Sequence, residues 1–259
     1  MIEISHLKKS FGVKHVLQDV SLTVQTGETM AIIGRSGCGK SVMLKHIVGL
    51  LVPDAGAVKV DGQTISALSQ TELYELRKKF GMLFQGAALF DSMTVGENVG
   101  LALRENLGMK PAEIKKIVAE KLAMVGLPET ERMKPSELSG GMRKRVGLAR
   151  ALATNPTYVF YDEPTTGLDP IMSDAIDLLV VQLAKELKVT SVVITHDMQS
   201  VYKVAGRVAM MHEGRIYFLG TPEELRTATD PLIRNFVDRN SFQDTEIESE
   251  KASMRRSLL

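Results

Sequence analysis

Apolar runs that alternate with amphipathic stretches predict the order of elements along this chain. Residues 29–33, 158–161 and 192–194 are short continuous apolar runs, which are typical of strands buried on both faces of a parallel sheet. Residues 20–24 and 58–61 instead alternate apolar and polar side chains, as half-buried strands do. The pattern therefore predicts an α/β fold in which a small antiparallel layer lies beside a parallel core sheet.

Helix-capping patterns and helical spacing lie between these strands. Ser69 and Glu72 have the spacing of a capping box, and Pro111 and Gly126 are placed to begin and end another helix. A buried strand is expected at 82–84. A helix between the last two apolar runs is expected to carry the apolar residues Ile171, Ala175, Leu178, Leu179 and Leu183. Strand, helix and strand in this order predict a right-handed parallel unit.

The middle of the sequence is almost entirely helical in character. We therefore expect residues 1–85 and 156–225 to form the core and residues 86–155 to form an inserted helical subdomain. Residues 226–259 are expected to be a C-terminal helix followed by a flexible tail, because the chain beyond Asn240 is polar and has few apolar residues.

A glycine-rich loop connects the first continuous apolar strand to a helix. Residues 34–41 fit the pattern G-x-x-x-x-G-K-[ST] at every fixed position. Glycine lets the backbone wrap phosphate oxygens closely, with N–H groups and the helix dipole directed at them. We therefore predict a nucleoside triphosphate site in which Lys40 reaches the β and γ phosphates and Ser41 ligates Mg2+. The predicted binding residues are Gly34, Arg35, Ser36, Gly37, Cys38, Gly39, Lys40 and Ser41.

Polar side chains follow the predicted strands at their carboxyl ends, where open α/β sheets bind ligands. Asp162 is suited to hold Mg2+ through water, and the adjacent Glu163 can act as general base for an attacking water. Gln85 is placed to ligate Mg2+ and hold that water. His196 is placed to donate to the γ phosphate, oriented by a carboxylate such as Asp169. These residues together predict phosphoryl transfer to water.

Composition limits the partners of the chain. Lys plus Arg total 32 against 31 Asp plus Glu, so no bulk positive field favours nucleic acid, and we expect no nucleic-acid partner. No apolar run approaches the roughly 18 residues that a membrane span needs, so any membrane role is expected to come from partners. The one cysteine, Cys38, excludes an internal disulfide and fits a reducing compartment.

Two further features have a functional and an ordinary interpretation. Phe11 lies on a turn upstream of the phosphate loop, where it either stacks on adenine or is a half-buried loop aromatic. Ser139 can cap a helix that carries the cations Arg143, Lys144, Arg145 and Arg150. We expect that cluster to be a solvated face or a set of intramolecular ion pairs rather than an RNA or lipid contact.

These motifs together resemble those of ABC-type ATPases over roughly residues 2–225. The matching stretches, in chain order, are 34–41, Gln85, 138–142, 158–163, 167–169 and His196. The resemblance implies a P-loop NTPase fold with a RecA-like parallel core, an antiparallel β subdomain and an inserted helical subdomain. It also implies ATP and Mg2+ as the ligands of the phosphate loop.

The same resemblance implies a head-to-tail dimer of two copies. Each ATP would lie between the phosphate loop of one copy and Ser139, Gly140 and Gly141 of the other, with Asp169 also among the nucleotide-binding residues. A capped helix amino terminus is an anion site, so this arrangement is physically sensible. The dimer would drive a separate permease that docks in a groove near Gln85.

A narrower resemblance lies in residues 84–95. This stretch is similar to the ATPases that serve MCE-type lipid transport systems of the Mla (maintenance of lipid asymmetry) kind, with Asp91 where importers more often have proline. Met142 in place of the commoner glutamine also resembles that group. The resemblance implies phospholipid transport at the cytoplasmic face of the inner membrane. Its implied partners are an integral permease, an MCE substrate-binding protein and a small regulatory subunit.

Other functions stay open at this point. One alternative is an importer ATPase for amino acids, ions or another small solute. Another is a soluble ABC protein of translation or DNA repair. A P-loop kinase would have no use for the element at 138–142. Leu89, Phe90 and Met93 are either core residues of the helical region or a permease contact. Residues 254–259 are either part of a solvated tail or a segment that docks on the other subunit or a regulator.

Overall fold

The computed structural model of the chain describes residues 1–238. The tail predicted beyond Asn240, with its docking alternative at 254–259, lies outside the described residues. The strands are β1 (Ile2–Phe11), β2 (Lys14–Val24), β3 (Thr29–Ile33), β4 (Ala55–Val60), β5 (Gln63–Thr64), β6 (Phe80–Leu83), β7 (Tyr158–Asp162), β8 (Thr190–Ile194), β9 (Arg207–His212) and β10 (Arg215–Gly220).

Helices fill the connections between these strands. They are α1 (Lys40–Ile47), α2 (Gln70–Arg77), α3 (Val95–Glu105), α4 (Pro111–Met124), α5 (Gly140–Leu152), α6 (Pro170–Leu187), α7 (Met198–Val204) and α8 (Pro222–Thr227), with 3-10 turns at Ile65–Ala67 and Pro135–Glu137. Residues 231–238 are also helical. The predicted capping box is present, because the Ser69 hydroxyl accepts from the Glu72 N–H while the Glu72 carboxylate accepts from the Ser69 N–H.

The strands form a mixed sheet in the order β5-β4-β1-β2-β10-β9-β3-β8-β7-β6. β9, β3, β8, β7 and β6 run parallel, whereas β5, β4, β1 and β2 pair antiparallel. The predicted α/β class, with a parallel core and an antiparallel layer, is therefore confirmed. Because β3 lies between β9 and β8, the loop that follows it opens beside the carboxyl ends of β7 and β8.

The parallel strands are buried on both faces, as their continuous apolar sequences predicted. All five residues of β8 are buried, and in β7 only Asp162 at the end is partly exposed. Helices therefore cover the two sides of this sheet. Deep burial of β7 and β8 gives the polar residues at their ends a rigid support.

Helices α3, α4 and α5 pack against one another and against the sheet. Their apolar residues share one buried cluster with Leu83 of β6, Tyr161 of β7 and Ile176 of α6. The helical region is thus continuous with the core around β7. The division into a core and an inserted subdomain at 86–155 stays a prediction.

One expected element differs in its end, and another differs in which of its residues are buried. The strand expected at 82–84 ends at Leu83, and Phe84 is 40% exposed because the chain leaves the sheet there. The helix expected between the last two apolar runs is present as α6 and carries the five apolar residues named for it. Two of them, Ile171 and Leu178, are 81% and 59% exposed, because α6 turns Ile176 toward the core. At 100° per residue those two positions lie away from the buried face.

Candidate nucleotide-binding and catalytic site

The phosphate loop runs from the end of β3 into the first turn of α1. Gly34 and Gly39 have φ angles of 143° and 110°, in the region that favours glycine. A Cβ at Gly34 would collide with the backbone oxygen of Met211, and one at Gly39 would lie 2.6 Å from Cδ2 of Leu17. The loop therefore needs glycine at both positions to follow this path.

The side chain of Lys40 folds back over the loop. Its Nζ donates to the backbone oxygen of Gly34 at 2.6 Å and to that of Arg35 at 3.3 Å, and the residue is 9% exposed. The ammonium group is thus held at the mouth of the loop, next to the amino terminus of α1. A cation, positive-φ glycines and a helix amino terminus at one point fit a polyphosphate.

Cys38 lies in the middle of the loop and is partly buried. It packs against the core, and its N–H donates to the backbone oxygen of Arg35 at 3.2 Å. Burial raises the pKa of its thiol, although the charge of Lys40 acts in the opposite direction. Cys38 therefore shapes the loop, while its nucleotide contact stays a prediction.

A cavity of about 840 Å3 opens in front of the loop. Residues from both ends of the chain line it together: Phe11, Lys14, Val16, Gly34, Arg35, Ser36, Gly37, Gly39, Lys40, Ser41, Val42, Gln85, Asp162, Glu163, Ile194, His196, Asn235 and Phe236. Phe11 is 47% exposed at this cavity, where a flat ring can meet a base. Lys14, Val16, Asn235 and Phe236 were not expected here, since no local sequence pattern connects them to the loop.

Asp162 and Glu163 reach the cavity from the end of β7. Glu163 has a φ of 53° and its N–H donates to the backbone oxygen of Ile194 at 2.8 Å, which turns its side chain out of the strand direction. Burial raises the pKa of Asp162, and the neighbouring charge of Glu163 adds to this. The pair of carboxylates thus lies in one partly buried pocket with Lys40.

His196 contacts Glu163 directly. Its Nδ1 donates to Oε2 of Glu163 at 2.8 Å, because an ionised carboxylate can only accept. Burial acts to raise the pKa of Glu163, but the hydrogen bond and charge of His196 and a bond from Thr166 bring it below its usual value. The same hydrogen bond raises the pKa of His196.

The expectation that Asp169 orients His196 is therefore wrong. The carboxylate of Asp169 instead caps α6 by accepting from the N–H of Met172 at 3.0 Å. An Asp directly before a helix that begins with proline is in a strong capping position. The capping hydrogen bond keeps the Asp169 carboxylate at the start of α6. The carboxylate that orients His196 is that of Glu163.

Oxygen-bearing side chains suited to Mg2+ converge on the same cavity. Ser41, Gln85 and Asp162 all line it, from α1, the segment after β6 and the end of β7. Within residues 1–238 there is no cluster of three or more His, Cys, Asp or Glu that could hold a metal alone. A site with one carboxylate fits Mg2+ that is shared with phosphate oxygens, which is how this ion is usually bound.

Comparison with known proteins shows the family of the chain. Residues 17–166 match the family model described as ABC transporter. The chain belongs to the ABC transporter family. It is 40% identical over 250 residues to the probable ribonucleotide transport ATP-binding protein mkl of Mycobacterium tuberculosis, covering 96% of this chain and 70% of that protein.

A second relative and a solved structure extend this result. The chain is 39% identical over 241 residues to the intermembrane phospholipid transport system ATP-binding protein MlaF of Haemophilus influenzae, covering 93% of this chain and 91% of that protein. The ATP-binding cassette MJ0796, solved as a dimer in a post-hydrolysis state bound to ADP and Pi, has a TM-score of 0.77 and 33% identity over 86% of this chain and 99% of its own.

This ABC chain is therefore an ATP-binding, ATP-hydrolysing subunit of a transporter. Cassettes of this kind dimerise and work with membrane permeases. No helix within the described part of the chain, residues 1–238, is long and apolar enough to cross a bilayer. The expected ABC ATPase fold and activity are confirmed.

Residues 138–142 of this ABC chain, named here the signature element, lie apart from its own phosphate loop. Ser139 caps α5 by accepting from the N–H of Met142 at 3.3 Å, and both Ser139 and Gly140 are exposed. None of Ser139, Gly140, Gly141 and Asp169 is among the described residues that line the cavity. One chain thus brings together its phosphate loop, its carboxylates and His196, but not its signature residues.

The cations of α5 were expected to form a solvated face or a set of intramolecular ion pairs. The structure shows a third use, although Arg143 is also exposed. Each of them donates to a backbone oxygen: Arg143 to Leu138, Lys144 to Gln85 and Glu163, Arg145 to Val125, and Arg150 to Ala87 and Ala88. Backbone oxygens at loops and helix ends need donors, and these long side chains supply them. The charge pattern of the sequence does not predict that these side chains donate to backbone oxygens.

Proposed function

We propose that this chain powers phospholipid transport as the ATPase of an MCE-type system of the Mla kind, bound to the cytoplasmic face of the inner membrane through an integral permease. An MCE substrate-binding protein and a small regulatory subunit complete the proposed assembly. The observation that carries the lipid assignment is the stretch 84–95, whose sequence resembles that group and whose aromatic residues Phe84 and Phe90 are 40% and 51% exposed beside Gln85. The relatedness to MlaF supports it.

We propose a role for each residue that lines the cavity. The backbone of Gly34 to Gly39 and the ammonium group of Lys40 bind the β and γ phosphates, and Phe11 stacks on adenine. Ser41, Gln85 and Asp162 hold Mg2+, which supplies charge neutralisation when it is bound.

Glu163 is the proposed general base. Its lowered pKa keeps the carboxylate ionised near neutral pH, so it is ready to accept a proton from water that Gln85 orients. His196 holds the Glu163 carboxylate through Nδ1, which leaves its Nε2 to contact the γ phosphate. The hydrogen bond to Glu163 raises the pKa of His196 and so favours the imidazolium form. In that form Nδ1–H orients the base and Nε2–H is a donor toward the phosphate.

The second half of each nucleotide site is proposed to come from another copy. Exposed Ser139 and Gly140 at the amino terminus of α5 form an anion site whose partner is absent from their own chain. A head-to-tail pair would place this terminus against the γ phosphate held by the other copy. The dimeric structure of MJ0796 supports this arrangement.

A small-solute importer is the second candidate. The relative mkl, described as a probable ribonucleotide transport protein, is as similar to this chain as the lipid relatives are. Overall identity therefore does not separate the two cargoes, and the lipid proposal rests on 84–95 and Met142.

The experiment is to isolate the complex and follow its cargo. The full chain, tagged and purified from membranes with its partners, is expected to bring phospholipid with it, detected by mass spectrometry. In vesicles, labelled phospholipid should move with ATP and stop in the Glu163→Gln complex. Co-purification of a solute-binding protein, with ATP-driven solute uptake and no lipid movement, would contradict the lipid assignment.

A further inference from the structure

Lys144 is a buried cation that touches two segments of the candidate catalytic site. It lies in the second turn of α5 and is 5% exposed. Its Nζ donates to the backbone oxygen of Gln85 and, at 3.1 Å, to the backbone oxygen of Glu163. One ammonium group therefore joins the segment after β6 to the end of β7.

The contact between α5 and the Gln85 segment is close along the whole helix face. A Cβ at Gly147 would lie 2.8 Å from Cδ1 of Leu83 and 3.2 Å from Cβ of Ala87, so glycine allows this approach. Arg150, two turns after Lys144, donates to the backbone oxygens of Ala87 and Ala88 at 2.6 Å each. Lys144 and Arg150 thus hold both ends of one short segment.

The segment that they hold has an unfavourable backbone. Ala87 and Ala88 have φ angles of 60° and 48°, which cost energy for residues other than glycine. Such a conformation persists only where the surroundings fix it, and here charged donors on α5 satisfy its oxygens. The path of the chain after Gln85 therefore depends on these cations.

The position of Lys144 is also electrostatically specific. Burial lowers its pKa, while the charges of Glu163 and then Asp162 act to raise it. A buried ammonium group is costly unless it is hydrogen bonded and faces opposite charge, and Lys144 has both. This cost is not needed for packing alone, which an apolar side chain would provide.

We propose that Lys144 is a positioning residue for ATP hydrolysis, because it fixes the backbone oxygens of Gln85 and Glu163 to one group on α5. The proposal rests on the catalytic roles proposed above for Gln85 and Glu163. Ser139 begins the same helix about 7.5 Å away along its axis.

The test compares Lys144→Met with Lys121→Met. Lys121 is a matched control, since it is also buried, at 3% exposed, and donates at 2.8 Å to Asn155 far from the cavity. Both variants lose a buried ammonium group, so both are expected to lower the melting temperature. In the complex purified through a tag on this chain, only Lys144→Met should lower kcat, by roughly ten- to a hundredfold, with KM for ATP within about twofold.

A second readout does not depend on turnover. Hydrogen exchange of the full chain without nucleotide should speed up in the peptide that spans 84–88 in Lys144→Met, by about tenfold, and stay unchanged there in Lys121→Met. Lys144→Gln keeps a neutral donor and should restore part of both kcat and protection.

Two results would overturn the inference. One is exchange at 84–88 that is the same in Lys144→Met and wild type, and the other is a kcat loss that Lys121→Met reproduces. Glu163→Gln separates this failure from that of the proposed roles. If Glu163→Gln remains active, the role of Glu163 is wrong; if it is inactive while Lys144→Met behaves as wild type, only the positioning role is wrong.

Discussion

Replacing Glu163 by glutamine removes the proposed general base with little change in shape. The Glu163 carboxylate is 15% exposed and accepts from Nδ1 of His196 at 2.8 Å and from Oγ1 of Thr166 at 2.9 Å. A glutamine oxygen can still accept one of these bonds, so we expect the local fold to persist. What is lost is the negative charge and the ability to take a proton from water.

The expected magnitude follows from that loss. Removal of a general base costs roughly 10²- to 10⁴-fold in rate, or about 3 to 5 kcal/mol in the activation barrier. Binding of ATP depends on the loop and on Lys40, which the substitution leaves in place. We therefore expect kcat of Glu163→Gln to fall by at least about a hundredfold with nucleotide affinity within about threefold.

The assay is phosphate release by the purified complex, with ATP affinity measured separately by calorimetry. Glu72→Gln is the matched control, because it removes the same charge from a capping box that glutamine also satisfies. Near-normal turnover in Glu163→Gln would remove Glu163 from its role. A large loss of ATP binding would mean that the residue acts in binding rather than in proton transfer.

Three further predictions concern single groups. Burial raises the pKa of Asp177 to about 7 from a usual 3.8, so the folded chain holds a proton that the unfolded chain releases. The free energy of unfolding should then fall by ~3 kcal/mol as the pH rises from 4 to 7. Urea unfolding measured at several pH values checks this. The free energy of unfolding should depend less on pH in Asp177→Asn than in the wild type, and an equal pH dependence would refute the prediction. Lys40→Ala should weaken ATP binding by about ten- to a hundredfold through loss of a charged contact, checked by calorimetry. Alkylation of the Cys38 thiol should be slow and become slower when ATP is bound. Equal labelling rates with and without ATP would contradict the prediction that bound nucleotide protects this part of the phosphate loop.

The elements that could be predicted from the sequence are those determined by local patterns. The phosphate loop, the capping box at Ser69, and the strands that deliver Asp162 and His196 are each specified within about ten residues by glycine, cap or apolar spacing. The order of the motifs along the chain was enough to indicate the resemblance to ABC-type ATPases. These features could be predicted without knowledge of tertiary contacts.

The features that were missed depend on contacts between distant segments. Lys144 and Arg150 were expected on a solvated face or in ion pairs, because charge alone does not indicate the backbone oxygens that α5 covers. His196 was assigned to Asp169, since a capping role and a role beside histidine look alike in sequence. Asn235 reaches the cavity from the far end of the chain, and only the fold shows this.

The most direct test of the account is the mass of the full chain carrying Glu163→Gln, measured by analytical ultracentrifugation with and without Mg2+ and ATP. Each copy has a mass of 28.4 kDa. With ATP the account predicts a species of twice that mass. A Ser139→Arg substitution in the same chain, which adds bulk and charge at the proposed contact, should abolish that species. A chain that binds ATP and still sediments as a single copy would contradict the proposal that two copies share the nucleotide.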